Sequence, residues 1–373
     1  MNGAPSAPGG RSAHRLLALL EVSGPLTRAE LSALAGLPPT TVAGAVTELL
    51  HDGLLTEVEP DSHARQAGRP PRTLAVAAPP AVVAVVGIRH EGLRMSLVSF
   101  AGEVLSDRSE ALPTGGADPG AVMDPVATLL LADLHDAGLA AERLTALVVS
   151  VPHPSPRTRA AAPLADRLGV PVLVENDANL GALGEAAFGV GRGLDSFVYV
   201  MLDHGVGAGL VFGGRLHRGA SGFAGELAHL QVREQEDGPL CVCGGRGCLA
   251  RVVGPSLRAF LETAYAERLS VPEVLSLASH NDPGVRRVLA DLGRTVGRPL
   301  ADLCTMLDPA VVAVDGSLAV AGEPVMAGIR EAIDRHAAPA VAASVRVLPG
   351  ELGERAELLG GVALVRQRAL DAL

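Results

Sequence analysis

Three of the four cysteines in this 373-residue chain, Cys241, Cys243 and Cys248, fall within eight residues of one another. A group this tight cannot serve as a disulfide framework for so long a chain; it pins one loop. Gly244, Gly245 and Gly247 stand among the sulfurs and let the backbone turn sharply there. With His229 upstream, the spacing Cys-x-Cys-x4-Cys offers four soft or borderline ligands, enough to close a tetrahedron around a metal ion. A closed set of this kind is structural rather than catalytic and couples ion binding to folding. The alternative reading is three buried thiols. Cys304, alone in the apolar helical stretch Val296 to Leu307, reads as core.

The length exceeds one ordinary core and implies two or three domains. Apolar residues at 48% and charged residues at 19% give a globular composition. The longest apolar runs are strand-sized: Ala81 to Ile88 is bounded by Pro79-Pro80 and Arg89, so no membrane span is expected. Met1 to Gly10 lacks the charged-then-apolar order of a signal peptide, and the expected location is the cytoplasm. Every basic residue is arginine, which excludes Schiff-base and Walker-type lysine chemistry. The net charge of -10 excludes a basic nucleic-acid coat protein. That charge is uneven: Met1 to Ala78 carries about -1 and the remainder about -9.

The first 78 residues read as a small helical head. Ala13 to Val22 carries Leu16, Leu19 and Leu20 on one face. Thr27 and Glu30 have the spacing of a capping box, Leu31, Leu34 and Ala35 form the buried face that follows, and Gly36 stops the helix. Pro38-Pro39-Thr40-Thr41 opens a third helix with the stripe Val42, Val46, Leu49 and Leu50, ended by Gly53. A strand from Leu54-Leu55, a turn-rich stretch from Glu59 to Gly68 and a second strand, Thr73 to Val76, complete the pattern of a winged helix-turn-helix. The third helix would enter the major groove with Thr40, Thr41 and Ala43 exposed near its start. It carries no Arg, Asn or Gln, so base discrimination through it should be modest.

The wing has no acid between Ser62 and Pro80, and it carries Arg65, Arg69 and Arg72 around Gly68-Arg69-Pro70-Pro71-Arg72, a stiff cationic arm suited to a narrow minor groove. Arg28, at the start of the second helix, joins these as a DNA-contact candidate. No aromatic residue precedes Phe100, so no stacking platform for single strands exists; duplex DNA is the expected partner.

After Pro80 the texture changes to α/β. Ala81 to Ile88, Leu93 to Phe100, Glu103 to Leu105, Leu144 to Val151 and Pro171 to Val174 read as strands, with helices over Pro119 to Ala137 and Asn179 to Phe188. A second half repeats the plan with strands Ser196 to Leu202, Ala208 to Phe212, Arg215 to His217 and Val311 to Val314. Two strand-then-helix halves predict a duplicated, two-lobed fold with a cleft between lobes.

The runs Glu175-Asn176-Asp177-Ala178-Asn179, Gly205-Val206-Gly207-Ala208-Gly209, Gly219 through His229, and Cys241 through Leu249 occur in the order and spacing of the ROK family, which the chain resembles from about Val82 to Leu370. That family comprises repressors, open reading frames and sugar kinases on an actin/hexokinase-like, ribonuclease H-like fold, and the helical head matches its repressor branch. The resemblance implies a structural zinc on His229, Cys241, Cys243 and Cys248. It implies that Asp177 corresponds to the general base of the kinases, and that Asn176, Glu226 and His229 bond sugar hydroxyls. The plainer reading is that Asn176 and Asp177 cap the helix that starts near Ala178.

Several positions depart from the kinase pattern. Where the kinases have Asp-x-Gly-Gly-Thr between the first two strands, this chain has Gly87-Ile88-Arg89-His90-Glu91-Gly92, a turn that reads as shortened, with Arg89 at the Asp position. Asp203-His204-Gly205 stands for Gly-Thr-Gly, and Val314-Asp315-Gly316-Ser317 replaces a Gly-Gly pair. Phosphoryl transfer depends on positioning and charge stabilisation, so these changes remove the cradle. On the sugar side, the loop after Val151-Pro152 is short and Ala250 replaces a Glu.

The expectation is a ROK-type transcriptional regulator, a repressor, without kinase activity and with Asp177 vestigial. Residues 1–10 would be a tail, 11–78 the DNA-binding head and 79–373 the ROK domain, with its cleft near Asp177 and Glu226. The partners implied are a double-stranded operator, a sugar or sugar-derived effector, and further copies of the chain in a homodimer or homotetramer. The alternatives are a sugar kinase bearing a DNA-binding head, and a ligand-independent DNA binder.

Overall fold

The computed structural model describes residues 12, 15–16, 19–20, 23–51, 55–58, 72–76, 81–89, 92–111, 119–152, 162–203, 205–232, 238–251, 262, 271–319 and 322–371. Arg65, Arg69, His90, Glu91, His204, Gly53, Leu54 and the stretch His153 to Arg157 lie outside them.

The head closes around its own core. Leu16 and Leu20 of the leading helical segment pack with Leu31, Ala35, Val42, Ala45, Val46, Leu49, Leu55 and Leu74, all buried. Helix α1 (Arg28–Ala35) starts at a complete capping box: Glu30 N–H donates to Thr27 Oγ1 at 3.3 Å, and Thr27 N–H donates to Glu30 Oε2 at 2.7 Å. It ends at Gly36, whose φ of 60° is left-handed. The turn is tied back by Leu37 N–H to the Ser32 carbonyl and by Ser32 Oγ to the Leu37 carbonyl, at 3.2 and 2.7 Å. Helix α2 (Pro39–His51) then starts with proline in its first turn, where no N–H is needed.

One expectation in the head fails. Leu34 is 55% exposed, not buried. α1 is only two turns long, and Leu31 and Ala35, four apart, already occupy its core-facing edge. Strands β2 (Leu55–Val58) and β3 (Thr73–Val76) form the antiparallel hairpin, and a two-residue strand, β1 (Leu26–Thr27), adds to the free side of β3. This is a winged helix-turn-helix.

The chain divides into two compact units, one comprising residues 1–149, 156–174 and 361–373, the other residues 150–155 and 175–360. The first unit holds a five-stranded sheet of order β6-β5-β4-β7-β8, formed by β4 (Val82–Arg89), β5 (Gly92–Ser99), β6 (Val104–Glu110), β7 (Leu144–Val151) and β8 (Val172–Asn176). Helices α3 (Pro119–Asp136) and α4 (Ala162–Leu168) accompany it. β4 and β5 pair in register from Val82↔Ser99 to Arg89↔Gly92, which leaves two residues in their connection. β6 runs beyond the expected Leu105. Its polar half is held by charge: Arg94 of β5 bonds Asp107 at 2.8 Å, and Arg108 bonds the buried Asp133 of α3 at 3.1 Å.

The second unit repeats the plan. Its sheet has the order β11-β10-β9-β12-β13, formed by β9 (Ser196–Leu202), β10 (Val206–Phe212), β11 (Arg215–Leu216), β12 (Val311–Asp315) and β13 (Arg346–Pro349). β9 and β10 are antiparallel, and β9, β12 and β13 run parallel. Helices α5 (Asp177–Phe188), α6 (Val271–Ser279), α7 (Pro283–Leu307), α8 (Glu323–His336) and α9 (Pro339–Ser344) belong to this unit, and α10 (Ala356–Asp371) begins in it. The core joins Val198, Val200, Val312 and Val314 of the sheet to Leu289, Val296, Leu300 and Cys304 of α7. Cys304 is fully buried, and burial pushes its thiol up to about 11.

The capping box yields a first prediction. Thr27→Ala should cost about 1 kcal/mol of α1 stability, read as faster hydrogen exchange at residues 28–35. The bonds from Thr27 hold the Glu30 carboxyl below the ordinary glutamate range. Their contribution is therefore present above that range and lost as pH falls through the lowered value. The main-chain N–H of residue 27 supplies the larger part of that effect and survives Thr27→Ala, so the acid-side loss of protection should disappear in Glu30→Gln instead.

Candidate functional site

The site is built where β8 ends and α5 begins, in the run Glu175 to Asn179. Asn176 is the N-cap of α5, its Oδ1 accepting Asn179 N–H at 3.0 Å, and its Nδ2 donates to the Pro152 carbonyl at 3.0 Å. Capping is therefore a real function of Asn176. Asp177 is the first helical residue, buried, with Oδ1 accepting the N–H of Ala178 at 2.7 Å. Glu175, which the sequence does not single out, organises the junction. One of its oxygens accepts Arg218 Nε at 2.7 Å; the other accepts the Asn179 carboxamide at 2.9 Å and the Asn176 N–H at 3.0 Å.

Beside this junction lies a cavity of about 640 Å³, wholly within the second unit. Asn176, Asn179, Glu226 and His229 supply polar groups, and Val206, Ala208, Phe223, Val242 and Ala250 supply apolar walls. Three of the four expected ligand-site residues thus meet here; Asp177 is not among the residues lining the cavity. Phe223 and Val242 lie inside the family-like runs, but nothing in the sequence marks them as wall residues; each lines the cavity while 50% or more exposed. Gly225 fixes the nearby turn: its φ is 89°, and a Cβ there would stand 2.2 Å from the Ala208 carbonyl oxygen.

His229, Cys241, Cys243 and Cys248 converge on one side of the same cavity, with their ligand atoms within 4.8 Å of one another. Cys241 Sγ stands 3.5 Å from His229 Nδ1, and Cys243 Sγ stands 3.6 Å from Cys248 Sγ. Those are the edges of a tetrahedron about an ion bound at ~2.1–2.3 Å, so the four residues fit a metal. Gly244, with φ 88°, makes the knuckle turn. Gly245 N–H donates to Cys243 Sγ at 3.4 Å and holds that thiol below its ordinary value, while burial pushes Cys248 up to about 12. His229 turns its other nitrogen toward Glu226, with Nε2 and Oε2 3.8 Å apart.

Two positions singled out on β9–β10 and β12 meet directly. Ser317 Oγ donates to Asp203 Oδ1, and Asp315 accepts from the buried Tyr199 hydroxyl at 3.2 Å. In the head, Thr40, Thr41 and Ala43 are exposed on α2. Arg28 and Arg72 come together on Glu57 of β2: Arg28 bonds one carboxylate oxygen at 3.3 Å and Arg72 the other. Both arginine side chains stay half-exposed, and together they hold the Glu57 carboxyl below its usual range, Arg72 most strongly.

A winged helix-turn-helix followed by two five-stranded α/β units is the architecture of a regulator built on an actin-like sugar-kinase fold. The ROK family model matches residues 144–368, and the chain belongs to the ROK family. It is 25% identical to the xylose repressor of Bacillus subtilis (strain 168), over 94% of each chain. It is 34% identical to the glucokinase of Streptomyces coelicolor over 54% of this chain and 69% of the kinase. A crystal structure of a ROK family transcriptional regulator, a homologue of the E. coli MLC protein, superimposes with TM-score 0.81 at 24% identity, covering 98% of each chain. Among the described residues, no helix is long and apolar enough to cross a membrane.

Gly225→Ala forces both a left-handed φ and a backbone clash, and should destabilise the chain by roughly 1–3 kcal/mol, measured as a lowered melting temperature.

Proposed function

We propose that this chain is a sequence-specific DNA-binding transcriptional repressor with the head (11–78) on the operator and the ROK domain (79–373) holding an effector site. The observation that carries the reading is the match to a named repressor over 94% of both chains, head included, while the glucokinase match spans only about half of this chain. Arg28, Thr40, Thr41, Arg65, Arg69 and Arg72 are the proposed DNA contacts. Asn176, Asp177, Glu226 and His229 are the proposed effector contacts, for a sugar or sugar derivative. Paired heads on a palindromic duplex require a homodimer or dimer of dimers, since one small head buries little surface. Work on DNA sets it in the cytoplasm.

His229, Cys241, Cys243 and Cys248 would hold a structural zinc, whose chemistry is to close the loop and leave no open coordination position. His229 would serve twice, with Nδ1 in the metal set and Nε2 toward Glu226 and the cavity.

Kinase activity is not part of this reading. Two observations support this: only two residues connect β4 and β5, and Asp203, which accepts from Ser317, stands in the run that corresponds to Gly-Thr-Gly of the kinases, where a carboxylate would repel phosphate. The kinase reading has one residue in its favour, Asp177, which we take as vestigial.

Salt-dependent binding to an operator recovered by genomic footprinting tests the main claim. Arg28→Ala and Arg72→Ala should each weaken binding and lower the salt slope by about 1; unchanged slopes would remove these contacts. Incubation with ATP and a hexose panel should yield no ADP, and turnover abolished by Asp177→Asn would overturn the non-enzyme reading. Elemental analysis should give one zinc per chain, lost in Cys248→Ser.

A further inference from the structure

We infer that α2 reads duplex DNA chiefly through the 5-methyl groups of thymine, so that the sites this chain selects carry thymine at the contacted major-groove positions. The inference rests on the DNA-binding reading above and concerns what the helix recognises.

α2 buries Val42, Ala45, Val46 and Leu49 and leaves Pro39, Thr40, Thr41, Ala43, Gly44, Thr47, Glu48 and, at its far end, His51 exposed. A helix docked in the major groove meets base edges with its first turns. No exposed residue there carries a guanidinium or a carboxamide, so the bidentate pairs that identify guanine or adenine cannot form. The face offers methyl groups from Thr40, Thr41, Ala43 and Thr47, beside Thr hydroxyls that bond donor or acceptor edges alike and so identify no base. The Thr47 hydroxyl donates to the Ala43 carbonyl at 2.8 Å, so its proton is not available to a base edge. Of the four bases only thymine presents a methyl in the major groove, where it packs against apolar side-chain groups.

Gly44 supplies the second observation. It lies in the middle of α2, where glycine weakens a helix. Among the described residues nothing requires it: none has an atom within 4 Å of the place a Cβ would occupy, and its φ is not left-handed. A residue without a side chain at the centre of the exposed face lets a partner approach the helix backbone closely. The methyls of Thr40, Thr41, Ala43 and Thr47 surround that gap. Positive charge comes from elsewhere in the head, from the half-exposed Arg28 and Arg72 gathered on Glu57. The division is phosphate binding by those arginines and base reading by methyls on α2.

The test uses the full chain and a random duplex library. The strongest duplex selected is synthesised once with thymine and once with uracil, which lacks only the 5-methyl group. The uracil duplex should bind more weakly, by roughly fourfold for each methyl contacted. Thr40→Ser with Thr41→Ser removes methyls and keeps hydroxyls, and should bring the thymine-to-uracil ratio toward one. Thr40→Val with Thr41→Val keeps the methyls and should retain the ratio. Gly44→Ala should weaken binding to both duplexes without lowering the melting temperature. Equal affinity for the two duplexes, with selection intact, would overturn the methyl-reading inference and leave the DNA-binding reading standing. No enrichment of any duplex would overturn both.

Discussion

The carboxylate of Glu175 holds together the part of the molecule on which the site depends. It stands at the last turn of β8, buried to about nine-tenths, and receives three donors from two directions in the chain. Two come from the start of α5, so the strand-to-helix corner is fixed. The third is Arg218, which follows β11 on the far edge of the second sheet and leads into the glycine-rich run toward Glu226 and His229. A charge-assisted bond at 2.7 Å therefore sets where that run begins.

The metal corner depends on the same frame. His229 is the link: its ring is shared between the sulfur group and the cavity, so the position of one is the position of the other. Cys243 also contributes to the wall of the cavity. An ion here would fix ring orientation by occupying Nδ1, leaving Nε2 as the group that faces Glu226.

Much of this was legible in the sequence, and the failures share a cause. The Thr27–Glu30 box, the Gly36 stop, the wing strand Thr73 to Val76 and the buried strands β7 and β9 are local signals, and they appear within a residue or two of where the pattern sets them. β6 ran past its expected end because Asp107 and Arg108 look like loop residues until Arg94 and Asp133 are placed opposite them. β1 is two residues long and exists only because β3, nearly fifty residues later, pairs with it. Glu175 carries no signal beyond its place in a family-like run; its partner is 43 residues away. Phe223, Val242 and Asn179 line a cavity that no periodicity describes.

Among the described residues, the ten that form the buried cluster of the head all lie before residue 77, and none belongs to either α/β sheet. A core that closes on itself is a transferable part. Recombination that cuts the chain after β3 leaves that cluster whole, and a body of this kind can gain or lose the head without a new apolar core having to evolve.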